Sequence, residues 1–131
     1  MLSKKMITLS ALASMVVLGV AAVKVPAGKY RNLQVLPKDI SDQKLDSIMD
    51  SYNKALGIGC NFCHSPAKQD ANNLDFALDE SPMKETARKM MRMTIEINKT
   101  NFYYDKAERP EYLKVVTCKT CHRGEPYPVD L

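Results

Sequence analysis

Three rhythms of apolar and polar residues divide this chain. From Met6 to Val23 no residue is charged and most are apolar, directly behind Lys4 and Lys5. A basic start, an apolar run and the small residues Val20, Ala21 and Ala22 predict an export segment over residues 1–23. It is either cleaved as a signal peptide or kept as an N-terminal membrane anchor, and its length, near the lower limit for crossing a bilayer, favours cleavage. Residues 24–40 contain Pro26 and Pro37 and no helical period, so they form an extended lead-in. From residue 41 the period becomes helical: Ser41 is an N-cap, Asp42 lies in the first turn, and Leu45, Ile48, Met49, Tyr52 and Leu56 recur at helical spacing until Gly57 and Gly59. Ser65 to Glu80, rich in Asp and Asn and without a period, predicts a surface loop. Ser81-Pro82 then opens a second helix with Met83, Ala87, Met90, Thr94 and Ile97 on one side, running to Asn98. Beyond it, Phe102, Tyr103 and Tyr104 suggest packing and Glu111 to Val116 a short helical turn. No segment shows sustained strand alternation, so the expected fold class is all-α.

At 131 residues and 45% hydrophobic, the chain suits one compact domain, taken as residues 41–131. The net charge of +4 includes Lys4 and Lys5 of the export segment; without them 17 basic residues face 15 acidic ones. That excess is too small to point to nucleic acid or to an anionic surface. Lys84, Arg88, Lys89 and Arg92 form a basic face on the second helix that is expected to be solvated, with Arg88 or Arg92 available to an acidic group of a cofactor.

Cysteine and histidine change the picture. The four cysteines stand in CNFCH at 60–64 and CKTCH at 118–122, and the chain's two histidines are the last residues of those two motifs. A CxxCH places two thiols on one turn, where both reach the vinyl groups of a haem and form thioethers, while the next residue offers its imidazole to iron. Cys60, Cys63, Cys118 and Cys121 are therefore the expected attachment points of two c-type haems, with His64 and His122 as iron ligands. Three rivals explain less. A zinc site across the two pairs would have to bridge the 54 residues between Cys63 and Cys118 and leaves the histidines idle. Two disulfides leave them idle too, and a thioredoxin-like redox pair lacks its βαβ surroundings.

With both histidines used, the second ligand of each iron falls to methionine or stays open. Met1, Met6 and Met15 lie in the export segment, leaving Met49, Met83, Met90, Met91 and Met93. Met49, one loop before CNFCH, has no local rival for the His64 haem. For the His122 haem, Met90 lies on the helix stripe, Met93 is nearly as well placed and Met91 less so. The competing reading is that these methionines fill gaps in a core, their commoner role in helices.

The strings VLPKDIS, ALGIGCNFCH, ARKMMRMTIEIN and VVTCKTCHRGEPYP, spread from about Leu33 to Pro128, resemble the cytochrome c subunit of photosynthetic reaction centres. In that family each Met-ligated haem is served by a helix whose methionine precedes its CxxCH, and the resemblance implies Met49 and Met90 as ligands. It also implies a mostly helical dihaem fold with haems close enough to exchange electrons, and a periplasmic, membrane-associated electron donor. The chain has two haem motifs where the well-known members have four, and thus resembles one half of them. A place beside a reaction centre or in a respiratory chain fits equally.

The expected function is one-electron transfer between redox partners, not catalysis. The alternatives are a peroxidase-like haem enzyme with one open iron position, for which no further histidine remains as distal acid-base group, and a haem-based sensor.

Overall fold

The computed structural model describes residues 31–128; the expected export segment lies outside them. Helix α1 spans Asp42–Leu56. Ser41 Oγ accepts from the Lys44 amide, and Asp42 and Lys54 lie at the ends where their charges suit the helix dipole. Gly57 ends it in the left-handed region (φ 64°), with its N–H returned to the Asn53 carbonyl. The apolar side of α1 packs on the lead-in: Leu36, Ile40 and Ile48 are buried together, bordered by Leu33, Leu45, Met49, Tyr52, Met91 and Tyr112. The extended segment before α1 thus supplies two of the three central core residues.

Residues 65–75 correct the all-α expectation. Ser65–Ala67 (β1) and Asp70–Asp75 (β2) pair antiparallel, with Ser65 opposite Asp75 and Pro66 opposite Leu74, and the register shifts between Pro66 and Ala67. Asp, Asn and Pro are weak strand formers, so no pattern announces this hairpin. It is held locally, by its short turn and by Asp70 accepting from the Asn72 amide at 3.0 Å.

Helix α2 spans Pro82–Phe102, four residues beyond the expected end. Pro82 fits the first turn, but the Ser81 side chain makes no capping bond. The side of α2 that packs inward is Lys84, Arg88, Met91 and Asn98. The stripe expected to be covered turns outward at its centre: Met90 is 43% exposed and neighbouring Met93 47%. The expected solvated basic face is corrected at Lys84 and Arg88, which are both buried. Lys84 Nζ donates to the carbonyls of Phe76 (3.0 Å) and Leu78 (2.7 Å), and Arg88 to that of Asn32 (3.1 Å); both also meet Asp79 at 2.9 Å.

After α2, Tyr104 is exposed, against the expected packing, while Phe102 and Tyr103 are half-buried. The expected helical turn is shorter and earlier, a single 3-10 turn over Pro110–Tyr112, and the chain is extended by Leu113. Asn98 anchors the segment leading to the second CxxCH: its amide donates to the carbonyls of Leu113 (3.1 Å) and Val116 (2.8 Å) and its oxygen accepts from the Val116 amide (2.8 Å). Helix α3, Cys118–His122, is closed at its start by reciprocal bonds between Thr117 and Thr120. Among the described residues no helix is long and apolar enough to cross a membrane.

Candidate haem-binding site

Both CxxCH motifs fold into a single turn. In the first, Cys60–Phe62 is a 3-10 turn, with the amides of Cys63 and His64 both bonded to the Cys60 carbonyl at 3.3 and 3.0 Å. In the second, the motif is α3 itself. Either way the two thiols of a motif lie one turn apart, the separation that attachment at two vinyl groups requires. No disulfide joins any two of the four cysteines; Cys60 and Cys121 are exposed, Cys63 and Cys118 half-buried. Burial pushes the Cys63 and Cys118 thiols up, so both are neutral at ordinary pH. Asn53 of α1 donates to the Cys60 sulfur at 3.5 Å.

The segments that flank the two motifs touch. The Gly124 amide donates to the Ala55 carbonyl at 3.0 Å, and a Cβ on Gly57 would collide with the Gly124 carbonyl oxygen. Gly57 is three residues before Cys60 and Gly124 two after His122, so this contact joins the end of α1 to the end of α3.

The histidines have different settings. His122 Nδ1 lies 3.1 Å from the Glu125 carbonyl oxygen. A carbonyl only accepts, so Nδ1 is the donor and Nε2 is the nitrogen left for a metal. His64 is half-buried, edge-on to Phe76 with ring centroids 5.0 Å apart, and its Nδ1 is buried without a partner. Burial, then the nearby charges of Lys84 and Arg88, push its pKa down, which favours the neutral imidazole. In both rings Nδ1 is engaged or sealed, which fits ligation through Nε2.

Of the methionines, Met49 is half-buried against Leu36, Ile40 and Ile48, and Met91 packs on the same core. Met90 and Met93 stand on the uncovered side of α2. A cavity of about 330 Å³ opens beside Cys118, between α1, α2 and the segment before α3, lined by Ile48, Tyr52, Ala55, Thr94 and Asn98 among others. Burial and the neighbouring Cys118 push the Tyr52 phenol up, and Lys44, Lys54, Glu111, Lys114 and Lys119 also line the cavity. Among the described residues no three His, Cys, Asp or Glu side chains converge as a metal-binding group, so the shared zinc geometry is not formed.

Phe76, the Glu125 carbonyl and Asp79 were not legible as site residues. Asn98 left a trace as a polar residue in phase with Met91 on α2, and Lys84 and Arg88 were read as part of a basic face, Arg88 with an acidic group of a cofactor as its partner.

The family model described as photosynthetic reaction centre cytochrome C subunit matches residues 10–131. Cytochrome c-554 of Chloroflexus aurantiacus is 35% identical over 96 residues, 72% of this chain and 20% of that protein. The photosynthetic reaction center cytochrome c subunit of Roseobacter denitrificans is 30% identical over 104 residues (78% and 26%), and that of Thermochromatium tepidum 33% over 101 (76% and 22%). The chain thus spans a fifth to about a quarter of the length of these relatives. No solved structure matches.

Proposed function

The chain belongs to the photosynthetic reaction centre cytochrome C subunit family, and from that premise we propose that it carries single electrons through two covalently bound haems. The observation that supports this most is that each histidine of the chain ends a one-turn CxxCH with its Nδ1 engaged or buried, which leaves Nε2 for iron. When bound, haem supplies the exchange of one electron between Fe(III) and Fe(II).

The protein's part is to hold and orient. Cys60 and Cys63, and Cys118 and Cys121, would form the thioethers, and His64 and His122 would ligate iron. Met49 and Met90 would supply the second ligands, and sulfur ligation would raise the potential. Met90, 43% exposed, gives up no core packing on reaching a ligand, whereas Met49 would have to leave its place against Leu36, Ile40 and Ile48. Met93, equally outward, is its one rival. The contact between Gly57 and Gly124 ties together the segments that flank the two attachment turns, which suits transfer from one haem to the other.

The proposed setting is the periplasm, reached through the export segment at residues 1–23, which is cleaved or kept as an anchor. The partners are redox proteins there, either a membrane reaction centre, as the relatives' names suggest, or a respiratory complex. A reduced-minus-oxidised spectrum of the purified protein tests the proposal: it should show a low-spin α band, and the haem should resist acid-acetone extraction. Extractable haem, or none, would overturn it.

A further inference from the structure

Resting on the two-haem reading above, we propose that the lysine-rimmed cavity beside Cys118 is the docking face for a redox protein that presents carboxylates, and that electrons cross there to or from the His122 haem. Lys44, Lys54, Lys114 and Lys119 all line this one cavity, and the last three are exposed. None of the four takes part in an ion pair among the described residues. Lys44 lies over the Tyr112 ring, 4.9 Å from its centroid, and so belongs to the wall. The one acidic residue of the lining, Glu111, pairs with none of them, and its Oε2 is buried without a hydrogen-bond partner.

The acids of α1 are sorted away from this side. Asp46 and Asp50 each stand two positions from Ile48, which lines the cavity, and two residues carry a helix through about 200°. Both are thus on the far side of α1, and both are exposed. Asp42 is engaged by Arg31. The basic excess, small over the whole chain, is therefore concentrated at one cavity, where like charges repel and a carboxylate from outside relieves them. Shape and position give the class of partner. Ile48, Ala55 and Val116 line the cavity, and Val115, next to Lys114, is 56% exposed. An apolar centre inside a polar, charged rim is the anatomy of a protein interface, whereas a flat lipid surface would meet only the rim. Cys118 lines the same cavity, so a protein seated there stands at the attachment edge of the His122 haem. The crossing moves one electron: Fe(III) is reduced to Fe(II) as the partner's centre is oxidised, and no bond forms or breaks.

The test uses the haem-loaded protein, with an acidic plant-type two-iron ferredoxin as probe, a strong one-electron donor when reduced. A carbodiimide joins a lysine amine to a touching carboxylate as an amide, with loss of water. Cross-linked peptides from the mixed proteins should carry that bond at Lys54, Lys114 or Lys119, and not at Lys89, which is exposed on the side of α2 opposite Asn98. In stopped flow at roughly 10 mM salt, Lys54→Gln/Lys114→Gln should accept electrons from the reduced ferredoxin about tenfold more slowly than wild type, and at about 0.5 M salt the two should coincide. Lys89→Gln/Lys106→Gln removes the same net charge and should match wild type within about twofold. Cross-links at Lys89 or spread over all lysines, equal slowing by both double variants, or a rate indifferent to salt would overturn the inference. So would weakened binding to phosphatidylglycerol vesicles as the only change in Lys54→Gln/Lys114→Gln, because the face would then serve a lipid surface. Should that variant fail to hold haem, the wild-type cross-links decide alone. A purified protein without haem would instead overturn the two-haem reading.

Discussion

Asn98 is the most enclosed side chain described, 2% exposed, and it serves three backbone groups of the strand-like segment before α3. Asn98→Ala leaves the Leu113 and Val116 carbonyls and the Val116 amide without their partner, and should cost about 2–4 kcal/mol, read from the denaturant midpoint. Gly57 is constrained twice, by its left-handed backbone and by the Gly124 carbonyl. Gly57→Ala should cost at least about 2 kcal/mol. Gly57→Asn should do no better, although asparagine tolerates that backbone, because its Cβ meets the same oxygen. Asp79 gives a pH dependence. The Arg88 guanidinium, then the Lys84 ammonium, hold its carboxyl well below the usual carboxylate range. A carboxyl whose pKa is lower folded than unfolded stabilises the fold above its unfolded pKa, near 4, and that contribution fades as pH falls further. Thermal unfolding from pH 6 to 2 should therefore show a loss beginning near pH 4 that is smaller in Asp79→Asn and, because Asp79 is exposed, smaller in high salt.

Helix α2 explains why some of this was legible and some not. Its existence, its start at Pro82 and the whole of α1 follow from local signals: caps, helical spacing and Gly57. Which side of α2 faces inward does not. Met83, Ala87, Met90, Thr94 and Ile97 and the parallel series Lys84, Arg88, Met91, Ile95 and Asn98 both fit a helix, and apolar character favours the first. The second is buried because Lys84, Arg88 and Asn98 find carbonyls on segments outside the helix, up to 56 residues away for Arg88 and Asn32. No local pattern carries that information. The hairpin at 65–75 was hidden for a related reason, its residues having little strand preference of their own. The same two-sidedness separates the methionines. Met90→Leu should leave one haem without its sulfur ligand, seen as partial high-spin character and a lowered potential, while Met93→Leu should leave the spectrum unchanged. Met91→Ala should spare the spectrum and cost about 2–4 kcal/mol of stability.

Over the whole molecule, the hydrophobic residues fully buried among those described are Leu36, Ile40, Ile48 and Ala55, while Phe76, Met90, Met93, Tyr104, Val115 and Tyr127 are exposed. So small a core is a weak basis for a stable domain. In the proposed reading the haems cover apolar surface that the chain does not cover itself, and folding depends on attachment. A chain with all four cysteines replaced by alanine should thus show much reduced helix content and no cooperative unfolding. The two CxxCH motifs were legible in the sequence because each is contiguous, whereas the contact between the segments that flank them rests on Gly57 meeting Gly124, 67 positions apart in the chain. The central claim is that both pentapeptides hold haem covalently, and mass spectrometry of the denatured, proteolysed holoprotein tests it most directly. One haem should remain bonded to the peptide containing Cys60 and Cys63 and one to that containing Cys118 and Cys121. Either peptide recovered without haem, with its two cysteines as free thiols or as a disulfide, would contradict the account.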